Sequence, residues 1–305
     1  MVRYVRRRAL LVGINNYENP ANNLNGCVAD MVDMHKTLLM FGFPPTRIKT
    51  LVNEQATTAG IINGLEWLVK ELLPGDVATF FYSGHGSQVA DLDNEEHDGY
   101  DEIICPYDIS WNEHKYITDD NLYEYFTSKL PEGVRTDAVF DSCYSGTVTK
   151  SIDMNGGNGR KKQRYLPPPL NHRLRLNTMI PQFTKVNYLG DSLLGSGVGK
   201  ELGTEKVQHN TLWGACQENQ VSWELMFAET QEVRGAFTFY FCDWLRANQG
   251  NITRGDLYRG LRTNMASDGF EQIPYLEVPN EAALNLFPFR KASEIDQPSE
   301  VKTIK

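Results

Sequence analysis

Val134-Arg135-Thr136-Asp137-Ala138-Val139-Phe140-Asp141-Ser142-Cys143-Tyr144-Ser145-Gly146 is the stretch whose reading decides the fold. Ala138-Val139-Phe140 reads as a short buried strand. Asp141, Ser142 and Cys143 fall where that strand ends, and Ser145-Gly146 signals a turn. A thiol at the end of a core strand is rigidly held while its sulfur faces the opening beyond the sheet, where open α/β sheets place their sites. A free cysteine is more often a small buried hydrophobe, so a partner base is needed to decide the matter.

An upstream stretch supplies one. Asp76-Val77-Ala78-Thr79-Phe80-Phe81-Tyr82 is a second strand-like run, followed by Ser83-Gly84-His85-Gly86-Ser87. His85 thus stands just past a strand end, between two glycines that permit a sharp turn and close approach of a ligand. A thiolate needs a neighbouring imidazole to lower its pKa and later to protonate the leaving amine. A structural histidine would be the plainer reading of His85 alone. Two such residues at the ends of two apolar strands point instead to a Cys143/His85 dyad.

The rest of the chain alternates in the same manner. Ala9 to Ile14 forms a first core strand behind Arg6-Arg7-Arg8, and Asn15-Asn16 ends it too early for a signal peptide. A helix with Met31, Met34, Leu38 and Leu39 follows, then a strand at Ile48–Val52. A helix is expected from Thr57 to Leu73, ended by Pro74-Gly75. After the histidine turn come an acidic loop from Asp91 to Asp101, a strand at Ile103-Ile104-Cys105 and a helix from Asp119 to about Leu130. Strands separated by helices imply a mostly parallel sheet covered on both faces. Residues 147–207 change texture, with Gly156-Gly157-Asn158-Gly159, Arg160-Lys161-Lys162-Gln163-Arg164 and Pro167-Pro168-Pro169, and are expected to be an irregular linker. Regular structure resumes at Thr211–Cys216. Helices at Ala236–Ala247 and after Thr253 and a strand at Tyr275–Val278 complete the fold, and residues 291–305 read as a polar tail.

With 305 residues, 41% of them hydrophobic, the chain can bury a sizeable core as one large domain or two small ones. A net charge of -9 argues against generic nucleic-acid or anionic-membrane surfaces and is compatible with cationic substrates. The five cysteines are scattered and form no C-x-x-C pair, which favours a reducing, cytoplasmic setting over a disulfide framework or zinc site. Two motifs are decoys. Gly195-Ser196-Gly197-Val198-Gly199-Lys200 has part of a phosphate loop, but Leu194 stands where its first glycine belongs and Glu201 where a hydroxyl belongs. The loop from Asp91 to Glu102 has Glu96 where a helix-loop-helix calcium site needs glycine.

With histidine first and cysteine second, the chain resembles the caspase-like cysteine peptidases, and among them the metacaspases and their bacterial relatives, the orthocaspases. The matching residues are Tyr82-Ser83-Gly84-His85-Gly86 and Asp141-Ser142-Cys143-Tyr144-Ser145-Gly146, with Leu24-x-Gly26-Cys27-x-x-Asp30 and Cys216-Gln217-x-Asn219-Gln220-x-Ser222. The resemblance implies a caspase-like three-layer α/β sandwich over residues 1–290. Its large-subunit-like part would be 1–146, its linker 147–207 and its small-subunit-like part 208–290, with no prodomain ahead. It implies nucleophilic attack by Cys143, general acid–base catalysis by His85, and an oxyanion hole from the Gly86 and Cys143 N–H groups. It also implies cleavage after Arg or Lys, with Asp30, Asp141, Cys27 and Ser83 forming the pocket.

Many metacaspases need calcium. The resemblance maps three of its four aspartates onto Asp101, Asp119 and Asp120 and the fourth onto Lys150, which cannot ligate a cation. Calcium-independent activity without any other cofactor is therefore expected, although nearby Asp153 would be a substitute ligand. Arg160, Lys161, Lys162 and Arg164 are candidate self-processing sites for such a peptidase. Protein or peptide substrates, no nucleic acid, no membrane and a monomeric state complete the expectation. The competing reading is a catalytically silent module of the same fold that binds basic peptides or protein partners.

Overall fold

The computed structural model describes residues 5–90, 100–144, 161–169, 210–217, 220–228 and 231–289. In chain order its strands are β1 (Arg7–Gly13), β2 (Ile48–Val52), β3 (Val77–Ser83), β4 (Gly86–Ala90), β5 (Tyr100–Ile104), β6 (Ile117–Thr118), β7 (Arg135–Asp141), β8 (Lys162–Gln163), β9 (Asn210–Gly214), β10 (Trp223–Phe227), β11 (Glu232–Gly235) and β12 (Tyr275–Glu277). Its α-helices are α1 (Cys27–Met40), α2 (Thr58–Val69), α3 (Asp119–Tyr123), α4 (Ala236–Ala247) and α5 (Arg254–Ser267).

A six-stranded sheet in the order β12-β9-β7-β3-β1-β2 forms the middle layer, parallel throughout except for β12. Its strands are apolar on both faces because both faces are covered. From β1, Leu10 and Val12 enter one core with Ile61, Leu65 and Leu68 of α2. Ala9 and Leu11 enter the other, with Met31 and Met34 of α1, Phe237 and Phe241 of α4, and Leu257 and Leu261 of α5. The same alternation divides Phe80 and Tyr82 from Phe81 on β3, and Phe140 from Val139 on β7.

The arginines at the start of the chain have a local task. Arg8 Nη1 donates to the carbonyls of Trp67 and Lys70, each at 2.6 Å, satisfying groups left unpaired at the C-terminus of α2. That helix stops at Val69, short of the expected Leu73, and Glu71 turns the chain with φ 61°. The helix expected from Asp119 to about Leu130 is instead α3 followed by a π-helical turn, Glu124–Ser128.

Two further departures bear on the site. The run Ile103-Ile104-Cys105 does not join the parallel sheet: β5 pairs antiparallel with β4 and β6 in a separate small sheet. Part of the expected irregular linker is ordered, because β8 pairs antiparallel with β10, which also pairs with β11. The polar tail lies outside the described residues.

Candidate active site

The register of the two central strands builds the site. Ser83 on β3 is the parallel neighbour of Asp141 on β7, so His85 and Cys143, two residues beyond each, leave the sheet side by side. The turn at His85 is fixed from below. Its N–H donates to Tyr17 Oη at 2.8 Å, and Tyr82 Oη donates to the carbonyls of His85 at 2.7 Å and Cys105 at 2.8 Å. The ring Nε2 lies 2.8 Å from Asn22 O. A carbonyl only accepts, so Nε2 carries the proton and Nδ1 keeps its lone pair. Buried Nδ1 has no hydrogen-bond donor or acceptor assigned to it among the described residues. Burial pushes the His85 pKa down to about 4; the charges of Lys162 and Arg164 add to this, while the Asn22 and Arg164 backbones oppose it.

Cys143 is fully buried. Its thiol donates to Ser222 O at 3.4 Å and accepts the Ser222 N–H. Cys216 is half-buried and its thiol donates to Gln220 O at 3.4 Å; the neighbouring Cys143 thiol and burial raise its pKa.

Residues 161–166 lie across this site. Before Arg164 the segment is antiparallel to β10, pairing Gln163 with Trp223 and Lys162 with Glu224, and Arg164 N donates to Ser222 O at 3.1 Å. After Arg164 it changes partner: Tyr165 bridges Gly86 in the parallel sense, and Leu166 N donates to Gly86 O at 3.0 Å. Between these two pairings the Arg164 carbonyl accepts the N–H of Gly86 at 3.0 Å and that of Cys143 at 3.4 Å. A Cβ at Gly86 would stand 2.2 Å from Cys143 O, so only glycine allows this approach.

The Arg164 side chain is fully enclosed. Nη1 meets Ser83 Oγ at 2.9 Å, Asp141 Oδ1 at 3.0 Å and Asp141 O at 3.1 Å. Nη2 meets Asp30 Oδ2 at 2.6 Å and lies 3.6 Å from Glu224 Oε2. The acids are held in turn. Asp30 accepts the Ser83 hydroxyl and the Gly235 N–H. Asp141 accepts Ser222 Oγ at 2.8 Å, Thr238 N at 3.0 Å and Thr238 Oγ1 at 2.6 Å. Gly235 forms part of the wall, where a Cβ would come within 2.2 Å of Asp141 Oδ2 and 2.5 Å of Arg164 Nη1. Burial raises the Asp30 pKa to about 7, with Arg164 lowering it and Asp141 raising it further. Burial also raises the Cys27 thiol, which feels the Arg164 charge as well.

Asp30, Asp141 and Ser83 thus gather around one guanidinium, whose charge also reaches the buried Cys27 thiol. Lys161 lies over the Phe270 ring at 5.6 Å and Lys162 Nζ bonds Asn23 O, outside that pocket. Arg160 and Lys150 lie outside the described residues. Asp101 is on β5, and Asp119 and Asp120 begin α3; among the described residues no three His, Cys, Asp or Glu side chains gather as a metal site. The sequence reading missed Glu224, Gly235, Thr238 and the Asn22 carbonyl. Glu224 had a readable signal, since it lies two residues after Ser222 and so on the same face of a strand.

A family profile described as "Metacaspase, peptidase C14 domain" matches residues 7–152. Metacaspase-1 of Pyricularia oryzae is 30% identical over 290 residues, covering 89% of this chain and 71% of that protein. Metacaspase-1A of Aspergillus fumigatus is 41% identical over 300 residues, covering 92% and 70%. The match to Metacaspase-1A of Aspergillus oryzae, 43% identical, spans 35% of that protein. A crystal structure of a protein from Geobacter sulfurreducens superposes with TM-score 0.64 at 27% identity, covering 94% of this chain and 99% of that one. Caspase-1 of Spodoptera frugiperda, at 14% identity and TM-score 0.52, shares the fold over 90% of this chain. The curated relatives named here are fungal, so the bacterial-type assignment rests on the sequence resemblance alone.

Proposed function

The chain belongs to the metacaspase family of cysteine peptidases, and from that premise we propose that it cuts proteins after Arg or Lys, that it cuts itself between Arg164 and Tyr165, and that it needs no calcium. One observation carries this reading: the chain's own Arg164 lies across Cys143 and His85 in the posture of a substrate.

In that posture the Cys143 sulfur attacks the Arg164 carbonyl carbon and His85 Nδ1 takes the thiol proton. Negative charge develops on the carbonyl oxygen already bonded to the Gly86 and Cys143 N–H groups. The C–N bond then breaks and His85 returns the proton to the Tyr165 amine. Water, activated by the same imidazole, releases the acyl group from sulfur. The pocket favours arginine over lysine, because Nη1 and Nη2 engage Asp141 and Asp30 separately. Calcium independence is supported by the lysine at position 150, whose charge suits a site without a cation.

Incubating the purified chain with chelator or with calcium, and reading fragments by intact mass, tests all three parts. A downstream fragment beginning at Tyr165 under both conditions is expected. A cut elsewhere would remove Arg164 from its role, and a cut only with calcium would overturn the third part. An uncut chain that still binds arginine peptides would favour the silent module.

A pH dependence follows from His85. Its lowered pKa keeps it neutral, hence basic, down to about pH 4 while the linker fills the site. Once the site is open, burial and the two linker cations are relieved, so its pKa rises. Self-cleavage is therefore expected to persist to lower pH than the kcat/KM of the cut enzyme for peptides. Coincident acid limbs in the two profiles would refute the assignment.

A further inference from the structure

We propose that Glu224 is a third acid of the arginine pocket and sharpens the preference for Arg over Lys. The proposal rests on the peptidase reading above and deepens it. Ser222, just before β10, and Glu224 within it are both fully buried, and β10 pairs with residues 162–163. Its carboxylate replaces water with the Asn25 N–H at 2.8 Å, Asn25 Nδ2 at 3.2 Å and the Gly26 N–H at 2.8 Å. Oε2, the oxygen that accepts the Gly26 N–H, also lies 3.6 Å from Arg164 Nη2.

The guanidinium is thereby divided. Asp141 and Ser83 hold Nη1, while Asp30 and Glu224 flank Nη2. A lysine has one nitrogen and cannot occupy both places. If it meets Asp141, the side facing Asp30 and Glu224 loses its cation. Glu224 therefore acts on an atom that only arginine brings. It has a structural duty too, since it grips Asn25 and Gly26 at the start of α1, the helix that carries Asp30. A purely structural duty would affect Arg and Lys substrates alike, which makes their ratio the informative quantity.

The experiment compares kcat/KM for matched peptides ending in Arg or Lys, using the full chain after self-cleavage, in wild type and Glu224→Gln. The glutamine keeps the volume and one acceptor oxygen but removes the charge. The Arg value is expected to fall about tenfold and the Lys value much less, so that the Arg-to-Lys ratio narrows. Equal loss for both peptides, or no loss for either, would overturn the proposal while leaving the peptidase reading intact. If wild type cleaves neither peptide, both readings fall together. Should Glu224→Gln not fold by circular dichroism, Glu224→Asp withdraws the carboxylate from Nη2 while keeping the charge. A smaller narrowing of the ratio is then expected, and an unchanged ratio would overturn the assignment.

Discussion

Cys143→Ala is expected to remain one uncut polypeptide and to lose roughly 10⁴-fold of its peptide hydrolysis, because the sulfur held against the Arg164 carbonyl is gone. The substitution is small. Cys143 is buried against the Ser222 backbone, and the alanine Cβ stays where the cysteine Cβ was. Both N–H groups that bind the Arg164 carbonyl belong to the backbone and survive the change. The variant should therefore keep its fold and its occupied pocket, which circular dichroism and resistance of residues 161–169 to an added protease would report. Fragments appearing equally in wild type and variant would assign the cutting to a contaminant.

Asp141→Ala is the second large effect. The residue pairs with Arg164 and also accepts from Ser222 Oγ, Thr238 N and Thr238 Oγ1. Deleting it leaves a buried guanidinium with one close ion pair fewer and three donors unsatisfied. Breaking a buried pair from one side typically costs about 3–5 kcal/mol. The kcat/KM for Arg peptides should fall at least about 10²-fold, and self-cleavage should slow in parallel. Melting curves measured alongside separate pocket from fold. Retention of Arg cleavage within a factor of about three by a folded variant would remove Asp141 from the pocket.

The ends of β3 and β7 were legible because strands buried on both faces are continuous apolar runs, and a reactive residue beyond each stands out. The strands that complete the site were not. Gly86-Ser87-Gln88-Val89-Ala90 has no run of large apolar residues, and Trp223–Phe227 carries a buried glutamate where the pattern asks for an apolar residue. Ile103-Ile104-Cys105 was apolar enough to be placed in the main sheet, yet β5 pairs with β4 in a separate small sheet. Composition could not say which cation of Arg160-Lys161-Lys162-Gln163-Arg164 fills the pocket. The occupant depends on the register of an extended segment against β10, which becomes visible only when both strands are placed together.

Residues 161–166 are covalently part of the molecule whose groove they fill, and that changes the arithmetic of access. A tethered occupant cannot be diluted away, because a covalent link fixes its local concentration whatever the concentration of the bulk. An arginine side chain arriving from solution therefore contends with a resident supply that is the same in a dilute extract as in a crowded cell. Lowering the total protein concentration does nothing to vacate the groove; only severing the backbone turns the resident into an ordinary ligand that can leave.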